Sequence, residues 1–478
     1  MRGCRNSCGI LRLRSSENEE LLAPPPEISS LPRPRKLTSG ILLGLFLLAL
    51  IPRLAMLYAE RTGPLGSPDT VGYQALAAAI QDGKYAIDEA PGGVWIATDL
   101  MRPPGYPAFL VLLGGGGESR RMAPAIVQCV LGAVTALIVA WGVSLLASEL
   151  AAVAAGLLFA FDWGSILHTP ILLSETTYAL VATIAVVGCI YASLHQRRRL
   201  ALLTGCLTGA AAYFRPSSWL LLPVFFVAIL LWRKERVAAI VLLVVGYMGV
   251  TMPWMARNYR VHRVFTMSLV DSMDAYLFIG EAAIINAGQN DWTNENLTKT
   301  LMGNHPPPTV RSTWDAIQSM SAPERKAYFN RQFLRIAREH WPTVIRICAV
   351  GAIRTATGPG FGTLQQLVPE ARSFGRARGL AARVIPLLQV LILWLAALAG
   401  AVAVFRSKSL PRWFAVLVIG ALLAMIAPGC TPIGYIRYRV AAVPEIAMLG
   451  GIGIAYVAEW RRTRVRAQGP LPTMHGSA

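Results

Sequence analysis

Apolar stretches long enough to cross a lipid bilayer recur along most of this 478-residue sequence. A transmembrane helix needs about 20 apolar residues to cross a hydrocarbon core about 30 Å thick. Hydrophobic residues make up 54% of the chain and its mean hydropathy is +0.48, more apolar side chain than one soluble core uses. The sequence therefore predicts an all-α polytopic membrane protein.

We interpret ten stretches as membrane spans. In chain order they cover residues 39–58, 122–147, 150–166, 171–194, 200–214, 217–232, 237–254, 385–405, 413–427 and 440–460. Short basic clusters at 33–36, 197–199, 233–236, 406–412 and 461–466 all fall on one side of this arrangement. The positive-inside rule makes that side cytoplasmic, which places both termini inside a plasma or inner membrane.

The predicted domain organisation follows from these spans. Residues 1–37 are polar, basic and rich in proline, without the apolar core of a signal peptide, and are expected to form a disordered cytoplasmic tail. Residues 38–460 form the transmembrane domain, and residues 461–478 form a second cytoplasmic tail. Two long segments, 59–121 and 256–383, are predicted to be external and to carry interfacial helices. We expect function on that side.

An eleventh span at 340–357 is the main alternative to this topology. That span would move the basic clusters at 406–412 and 461–466 outside, and it would place Arg346 and Arg354 in hydrocarbon. We therefore interpret this stretch as an interfacial amphipathic helix. Just before it, Ser321 and Glu324 have the spacing of a capping box, which predicts a helix over 323–339.

The formal net charge of +19 does not indicate nucleic-acid binding, because the basic residues lie in short clusters between apolar runs. The seven cysteines show neither a disulfide framework nor the spacing of a zinc site.

The first external segment contains two motifs, SPDTVGY and RPPGYP. The first predicts a helix over 70–81 with Asp69 at its N-cap, the more common role of such a residue. The second contains Arg102, a candidate for binding headgroups or substrate, and leads into an apolar run at 108–113 that is too short to span.

Further ionisable residues of both signs lie at the predicted outer ends of the spans. They are Asp162, His168, Glu175, Arg215, Arg257, Arg437 and Arg439. Charges at an apolar boundary are costly, so their accumulation indicates a polar cavity. Carboxylates that accept a proton and guanidinium groups that hold phosphate oxygens suit chemistry on a phosphorylated substrate. For any single arginine, binding to a lipid headgroup is as good an interpretation as binding to a substrate phosphate.

Six stretches follow one another along the membrane region: SPDTVGY, RPPGYP, LLSETTY, YFRPSSWLLLP, PWMARNYRV and IRYRVAAVP. Their order resembles that of GT-C fold transferases, in the branch of bacterial protein O-mannosyltransferases, aminoarabinose transferases and lipopolysaccharide-core sugar transferases. The resemblance implies that a sugar is transferred, with inversion, from a polyprenyl-phosphate carrier to a lipid, glycan or protein acceptor on the external or periplasmic face.

The resemblance also implies roles for individual residues. Asp69 matches the general base of such enzymes, and Glu175 would be a second acid that orients donor or acceptor. Arg215, Arg257 or Arg437 would hold the lipid phosphate. Tyr73 would either pack beside Asp69 or touch the sugar.

Two features depart from the family pattern. Many relatives have a second acid directly after the first, where this chain has Thr70. The residues after 460 are also too few for the soluble domain that some relatives append. Relatives differ in metal dependence, and the external segments show no tight carboxylate pair, so no cofactor or obligatory metal is predicted and a divalent metal stays open.

Two other classes of membrane protein compete with a transferase. A secondary transporter predicts internal repeats with broken helices in matching halves, and the asymmetric external segments do not fit that pattern. A flippase or assembly scaffold for cell-envelope intermediates does not need an outward acid among several arginines, yet it stays as an alternative.

Overall fold

The computed structural model describes residues 37–60, 68–85, 99–114, 121–232, 234–280, 282–284, 316–317, 319–368, 371, 373–407, 410–431 and 436–467. Within these ranges the regular secondary structure is entirely helical. The predicted tails lie largely outside the described residues, as do parts of both predicted external segments.

Eighteen α-helices are numbered here in chain order. The first nine are α1 (Ser39–Glu60), α2 (Pro68–Gln81), α3 (Gly105–Leu112), α4 (Met122–Ser144), α5 (Glu149–Ala160), α6 (Trp163–His168), α7 (Glu175–His195), α8 (Arg198–Ala212) and α9 (Leu221–Leu230). The others are α10 (Arg236–His262), α11 (Val270–Asp274), α12 (Ala322–Glu339), α13 (Trp341–Thr357), α14 (Phe361–Leu367), α15 (Arg376–Arg406), α16 (Arg412–Ile426), α17 (Ile436–Val440) and α18 (Val443–Ala467).

Six helices of the described chain are long and apolar enough to cross a membrane: α1, α4, α7, α10, α15, and α16 with the turn that follows it. The chain is therefore a polytopic helical membrane protein, as predicted. Helices also occupy the other four predicted spans, as the shorter α5, α8 and α9 and the longer α18. The prediction of ten crossings remains a prediction.

The predicted span over 150–166 is not one continuous helix. Helix α5 ends at Ala160, and Asp162 starts α6 by accepting a hydrogen bond from the backbone N–H of Ser165 at 2.7 Å. Arg53 of α1 is fully buried and stabilises the break, because its Nη1 donates to the carbonyl oxygen of Ala160 at 2.9 Å. The boundary charge at Asp162 thus marks a helix start inside the predicted span.

Glycines allow two pairs of helices to pack closely. Helices α8 and α10 meet at Gly205 and Gly246, where an added Cβ would collide with the backbone of the opposite helix. Helices α15 and α18 meet in the same way at Gly400 and Gly453. Small residues at such crossings let helix backbones approach, and this packing holds membrane helices together in lipid.

The region between α10 and α15 contains the helices predicted over 323–339 and 340–357. Helix α12 begins at Ala322, and Glu324 accepts a hydrogen bond from the backbone N–H of Ser321 at 2.9 Å, as the predicted capping box requires. Helix α13 packs against the turn after α16, where Thr355 Oγ1 donates to the carbonyl oxygen of Gly429 at 2.8 Å. It is not among the six candidate membrane helices.

Two small hydrophobic clusters hold the short helices over the membrane bundle. One packs α2 and α3 against α4 and the segment before α7, through Tyr73, Tyr106 and Leu172. The other packs α11, α12 and α13 against the residues that precede Arg102, through Leu100 and Met273. Tyr73 belongs to the first cluster, and Met101, which precedes Arg102, belongs to the second.

Candidate active site

Asp69 lies in the first turn of α2 and not at its N-cap, because the helix begins two residues earlier than predicted, at Pro68 instead of Thr70. The helix is docked by its polar side chains. Thr70 Oγ1 donates to the carbonyl oxygen of Leu172 at 3.1 Å, and the hydroxyl groups of Tyr73 and Ser174 lie 3.2 Å apart. Asp69 is thereby held next to the start of α7, where Glu175 lies.

The RPPGYP motif forms a backbone elbow. The N–H of Gly105 donates to the carbonyl oxygen of Tyr213 at 3.0 Å, which ties the start of α3 to the end of α8. The hydroxyl of Tyr106 donates to Gln128 at 2.6 Å, and Gln128 donates in turn to the carbonyl oxygen of Ile171 at 2.7 Å. These contacts fix the position of Arg102 relative to the segment before Glu175.

Two arginines hold the two carboxylate oxygens of Asp69. Nη2 of Arg102 lies 2.7 Å from Oδ1, and Nη1 of Arg437 lies 2.6 Å from Oδ2. Contacts between ionised groups at these distances are stronger than hydrogen bonds between neutral groups. Burial alone would raise the pKa of Asp69, but the charges and hydrogen bonds of Arg437 and Arg102 outweigh it and hold that pKa well below its ordinary value.

Arg437 also connects Asp69 to Glu175. Its Nε lies 3.3 Å from Oε1 of Glu175, and Nη2 of Arg215 lies 3.8 Å from the same oxygen. The side chain of Glu175 is only 2% exposed, whereas that of Asp69 is 26% exposed. A molecule entering the site therefore reaches Asp69 before Glu175.

Tyrosine rings lie against the three arginines. Arg102 lies over the ring of Tyr73 at 4.4 Å from its centroid. The ring of Tyr438 is within 5.1 Å of Arg215 and 5.3 Å of Arg437. Cation–π contacts of this kind keep guanidinium planes in place while their N–H groups remain available.

The structure thus brings together six of the seven residues predicted for the site: Asp69, Tyr73, Arg102, Glu175, Arg215 and Arg437. Three guanidinium groups face two carboxylates, so this cluster, fully ionised, carries one net positive charge. Preorganised guanidinium N–H donors favour an anionic ligand.

Arg257 lies in a neighbouring cluster instead. Its Nη2 is 2.5 Å from Oδ2 of Asp99, which also lies 2.8 Å from Nε2 of His262. The same Nη2 donates to the carbonyl oxygen of Tyr85, whose hydroxyl donates to the carbonyl oxygen of Arg102 at 2.8 Å. Arg257 therefore contacts the site through the backbone that carries Arg102.

Three further boundary residues have structural contacts. Asp162 caps α6, and Nδ1 of His168 lies 2.9 Å from the carbonyl oxygen of Gly164. Arg439 is fully buried, and its Nη1 donates to the carbonyl oxygen of Ala356 at 2.9 Å, which ties α17 to the end of α13.

Sequence reasoning missed two residues of the site, Tyr438 and Asp274. Tyr438 lies between two arginines in IRYRV, and this alternation was the signal available for it. Asp274 ends α11 and lies within electrostatic range of Asp69 and Arg437, but no sequence motif surrounds it. Across the described part of the chain, no group of three or more His, Cys, Asp or Glu side chains is arranged to hold a metal ion.

No protein-family model and no curated protein sequence matches the chain. Several solved structures are similar to it. The archaeal oligosaccharyltransferase AglB from Archaeoglobus fulgidus, in complex with an inhibitory peptide and a dolichol-phosphate, matches with a TM-score of 0.48 and 12% identity over 90% of this chain. An Archaeoglobus fulgidus oligosaccharyltransferase tethered to an acceptor peptide with the NVT sequon gives a TM-score of 0.49 and 13% identity, over 90% of this chain and 51% of its own.

The aminoarabinose transferase ArnT from Cupriavidus metallidurans, bound to undecaprenyl phosphate, matches with a TM-score of 0.39 and 16% identity, over 92% of this chain and 82% of its own. The present chain spans about half the length of the archaeal enzyme, 52% in the dolichol-phosphate complex. At these scores and identities, activity has to be deduced from this chain's own residues.

Proposed function

We propose that this chain is an integral membrane glycosyltransferase that moves a sugar from a polyprenyl-phosphate donor to an acceptor hydroxyl on the external or periplasmic face. The observation that carries the proposal is the position of Asp69, a partly exposed carboxylate between Arg102 and Arg437. Inverting sugar transfer from a lipid phosphate requires both a base and donors for the departing phosphate.

The arginines are the proposed phosphate site. Guanidinium groups bind phosphate oxygens through two parallel N–H donors, and the guanidinium of Arg437 lies within 2.6 Å of Asp69 and 3.3 Å of Glu175. A donor phosphate that reaches the cluster competes with Asp69 for these donors. Binding therefore becomes an exchange of anionic partners around Arg437 and Arg102.

This exchange makes Asp69 a better base. While both oxygens are paired with arginines, the carboxylate holds protons weakly, as its lowered pKa indicates. Transfer of an arginine to the phosphate frees one oxygen and removes the charge that depresses the pKa. Donor binding thus prepares Asp69 to accept a proton, which favours donor binding before acceptor attack.

In the proposed transfer, two bonds break and two bonds form. The acceptor O–H bond breaks and its proton passes to Asp69, while the acceptor oxygen forms a bond to the anomeric carbon from the face opposite the phosphate. The bond between that carbon and the phosphate oxygen breaks, and its electron pair leaves with the polyprenyl phosphate. Arg437 and Arg102 stabilise the negative charge that develops there.

Glu175 and Arg215 support this arrangement. Because Glu175 is almost fully buried, its proposed role is to hold Arg437 and Arg215 in orientation, with contact to donor or acceptor made by the arginines. Tyr73 packs against Arg102 and is bonded to Ser174, and this favours packing over sugar contact. Arg257 acts indirectly, through the backbone beside Arg102. The residues present leave a divalent metal open as an additional ligand for donor phosphate.

A transporter or flippase of cell-envelope intermediates is the alternative, and one experiment separates them. Purified protein in lipid nanodiscs is incubated with a panel of undecaprenyl-phosphate hexoses and pentoses, together with membrane-lipid extract or peptides as acceptors. Because nanodiscs have no separate compartments, transport cannot register in this assay. Formation of free undecaprenyl phosphate and a glycosylated acceptor, measured by mass spectrometry, supports a transferase. Intact donors throughout the panel, combined with donor translocation in sealed proteoliposomes, would favour the alternative.

A further inference from the structure

The short helix α17 carries two arginines that extend from it on different sides. Successive residues of an α-helix are rotated by about 100°, so Arg437 and Arg439, two positions apart, do not share a face. Arg437 reaches Asp69 at 2.6 Å, within the candidate site. Arg439 is fully buried and makes separate contacts with other helices. These contacts determine where α17, and therefore Arg437, lies.

The guanidinium of Arg439 caps the C-terminal end of α13. Its Nη1 donates to the carbonyl oxygen of Ala356 at 2.9 Å and to that of Gly358 at 3.1 Å. The last carbonyl groups of a helix have no partner within the helix, and the helix dipole makes this end negative. A buried guanidinium satisfies these carbonyl groups and matches the sign of the dipole. Helix α17 is therefore bound to α13 by a charged donor as well as by apolar packing.

The other side of this guanidinium lies against α6. A Cβ atom added to Gly164 would lie 3.1 Å from Nη2 of Arg439 and 3.2 Å from Oδ2 of Asp162. The carboxylate that starts α6 therefore lies beside the guanidinium. The same added atom would lie 3.2 Å from Cδ1 of Ile436, the first residue of α17. Helix α17 is thus held in a narrow space between α13 and α6.

The contacts of Arg437 leave little room for a shift of α17. Nη1 of Arg437 lies 2.6 Å from Asp69, and its Nε lies 3.3 Å from Glu175. A displacement of about 1 Å would carry one or both contacts beyond hydrogen-bonding distance. Misplacement of this size in an active site can lower a rate by about 10²-fold, even when its cause lies outside the site.

We propose that Arg439 is a positioning residue that holds Arg437 in the orientation that binds the donor phosphate. This inference rests on the proposed sugar transfer, in which Arg437 is a ligand of that phosphate. The contacts of Arg439 are with α13 and α6, whereas those of Arg437 are with α2 and α7. A change at Arg439 therefore reaches the phosphate site through α17.

The test is equilibrium binding of undecaprenyl phosphate to the intact chain in lipid nanodiscs. Arg439→Met removes the charge and the donors but keeps a long side chain, and the affinity should fall about tenfold, as expected for Arg437→Lys. Arg439→Lys still donates to the carbonyl groups of α13 but lacks the planar fork, so it should lose only about threefold. An affinity of Arg439→Met within about twofold of that of the unaltered protein would overturn the inference.

A double-mutant cycle with Arg437→Lys separates positioning from a general loss of stability. If Arg439 acts through Arg437, Arg439→Met should cost less than about twofold in the Arg437→Lys background. Independent effects would instead multiply to about a hundredfold in the double variant, which would overturn the inference. Should Arg439→Met yield no folded protein, Arg439→Lys takes its place in the cycle. Its loss of about threefold should then disappear in the Arg437→Lys background, and persistence of that loss would overturn the inference equally.

Trp394→Phe is the matched control at the same helix end. Nε1 of Trp394, in α15, donates at 2.9 Å to the carbonyl oxygen of Ala356, which also accepts from Arg439. The lost bond ties α15 to α13 and leaves α17 anchored. The unfolding temperature should therefore fall while the affinity stays within about twofold. A loss of affinity as large as that of Arg439→Met would show that any damage to this end of α13 weakens binding, which would overturn a specific role for Arg439.

Measurements on the unaltered chain separate a failure of the role of Arg439 from a failure of sugar transfer. If the unaltered chain binds undecaprenyl phosphate and transfers sugar while the Arg439 variants bind normally, sugar transfer stands and Arg439 is not a positioning residue. An unaltered chain that neither binds undecaprenyl phosphate nor transfers sugar from any donor would overturn the proposed function, and with it the role of Arg439.

Discussion

Arg437 Nη1 lies 2.6 Å from Asp69 Oδ2, although the two residues belong to α17 and α2, which are separated by most of the sequence. The same guanidinium lies 3.3 Å from Glu175 at the start of α7. The side chain of Arg437 therefore connects α17 with α2 and α7, three helices that lie in separate sequence motifs with predicted site residues.

Replacement of Asp69 by asparagine should abolish transfer while the donor still binds. The amide cannot accept a proton as a carboxylate does, so we expect the rate to fall by at least about 10²-fold. Because Arg102 and Arg437 lose an anionic partner, binding of undecaprenyl phosphate should be retained or become tighter. Initial rates and equilibrium binding to nanodisc-embedded protein measure the two effects.

Asp82→Asn is the matched control for that variant. Asp82 directly follows the last residue of α2 and is exposed, so it lies at the opposite end of the helix from Asp69. It should leave both the rate and the binding within about twofold, the range of ordinary surface substitutions. Full activity of Asp69→Asn would contradict its assignment as the base.

Replacement of Arg437 by lysine should weaken donor binding although the charge is kept. A lysine ammonium lacks the planar fork that reaches Asp69 and Glu175 at once. We expect the affinity for undecaprenyl phosphate to fall about tenfold or more, which is about 1.4 kcal/mol. Arg462→Lys, at a largely exposed position paired with Glu459, should leave binding unchanged. Equal affinities in both variants would argue against Arg437 as a phosphate ligand.

Gly105→Ala should disturb the site through the backbone. The added methyl group would lie 2.6 Å from the carbonyl oxygen of Tyr213, closer than atoms approach without movement. We expect a loss of stability of about 1–3 kcal/mol and a lower transfer rate, because Arg102 lies on the same elbow. The comparison variant is Gly249→Ala in α10, where nothing lies within 4 Å, so thermal stability should hold or rise. If both variants unfold at the same temperature, the elbow is not the constraint we describe.

A reporter fused after Arg406 tests the predicted topology. With ten spans, the end of α15 is cytoplasmic, so a fluorescent protein should be active there and alkaline phosphatase inactive. The opposite pattern would indicate that α13 is an eleventh span and that the basic residues after α15 are external.

Most helices could be predicted because lipid imposes a length and a composition on each of them. The break between α5 and α6 could not, since it depends on Arg53, which reaches the end of α5 from a distant helix. The sequence predicts the start of α2 two residues too late, because a proline is also a good first residue of a helix. Because the helix begins before Asp69, this side chain does not cap the helix and instead pairs with Arg102 and Arg437.

The site was predictable to the extent that its residues sit in boundary motifs. Six side chains converge because boundary charges need partners, and the partners lie in the other motifs. Arg257 has the same local signal, but Asp99 and His262 are closer partners for it. Asp274 gave no signal, because no sequence motif surrounds it and only the docking of α11 brings it within electrostatic range of Asp69.

The pairing of every phosphate-binding candidate with a carboxylate has a kinetic consequence. In the proposed cycle, a spent carrier that leaves exposes no bare arginine, because Glu175, and Asp69 once it has lost its proton, take its place. Release of the carrier then replaces an arginine–phosphate ion pair with an arginine–carboxylate ion pair. Its free energy is the difference between these two similar interactions. A site built in this way retains its product weakly, so the catalytic cycle does not have to end in slow dissociation.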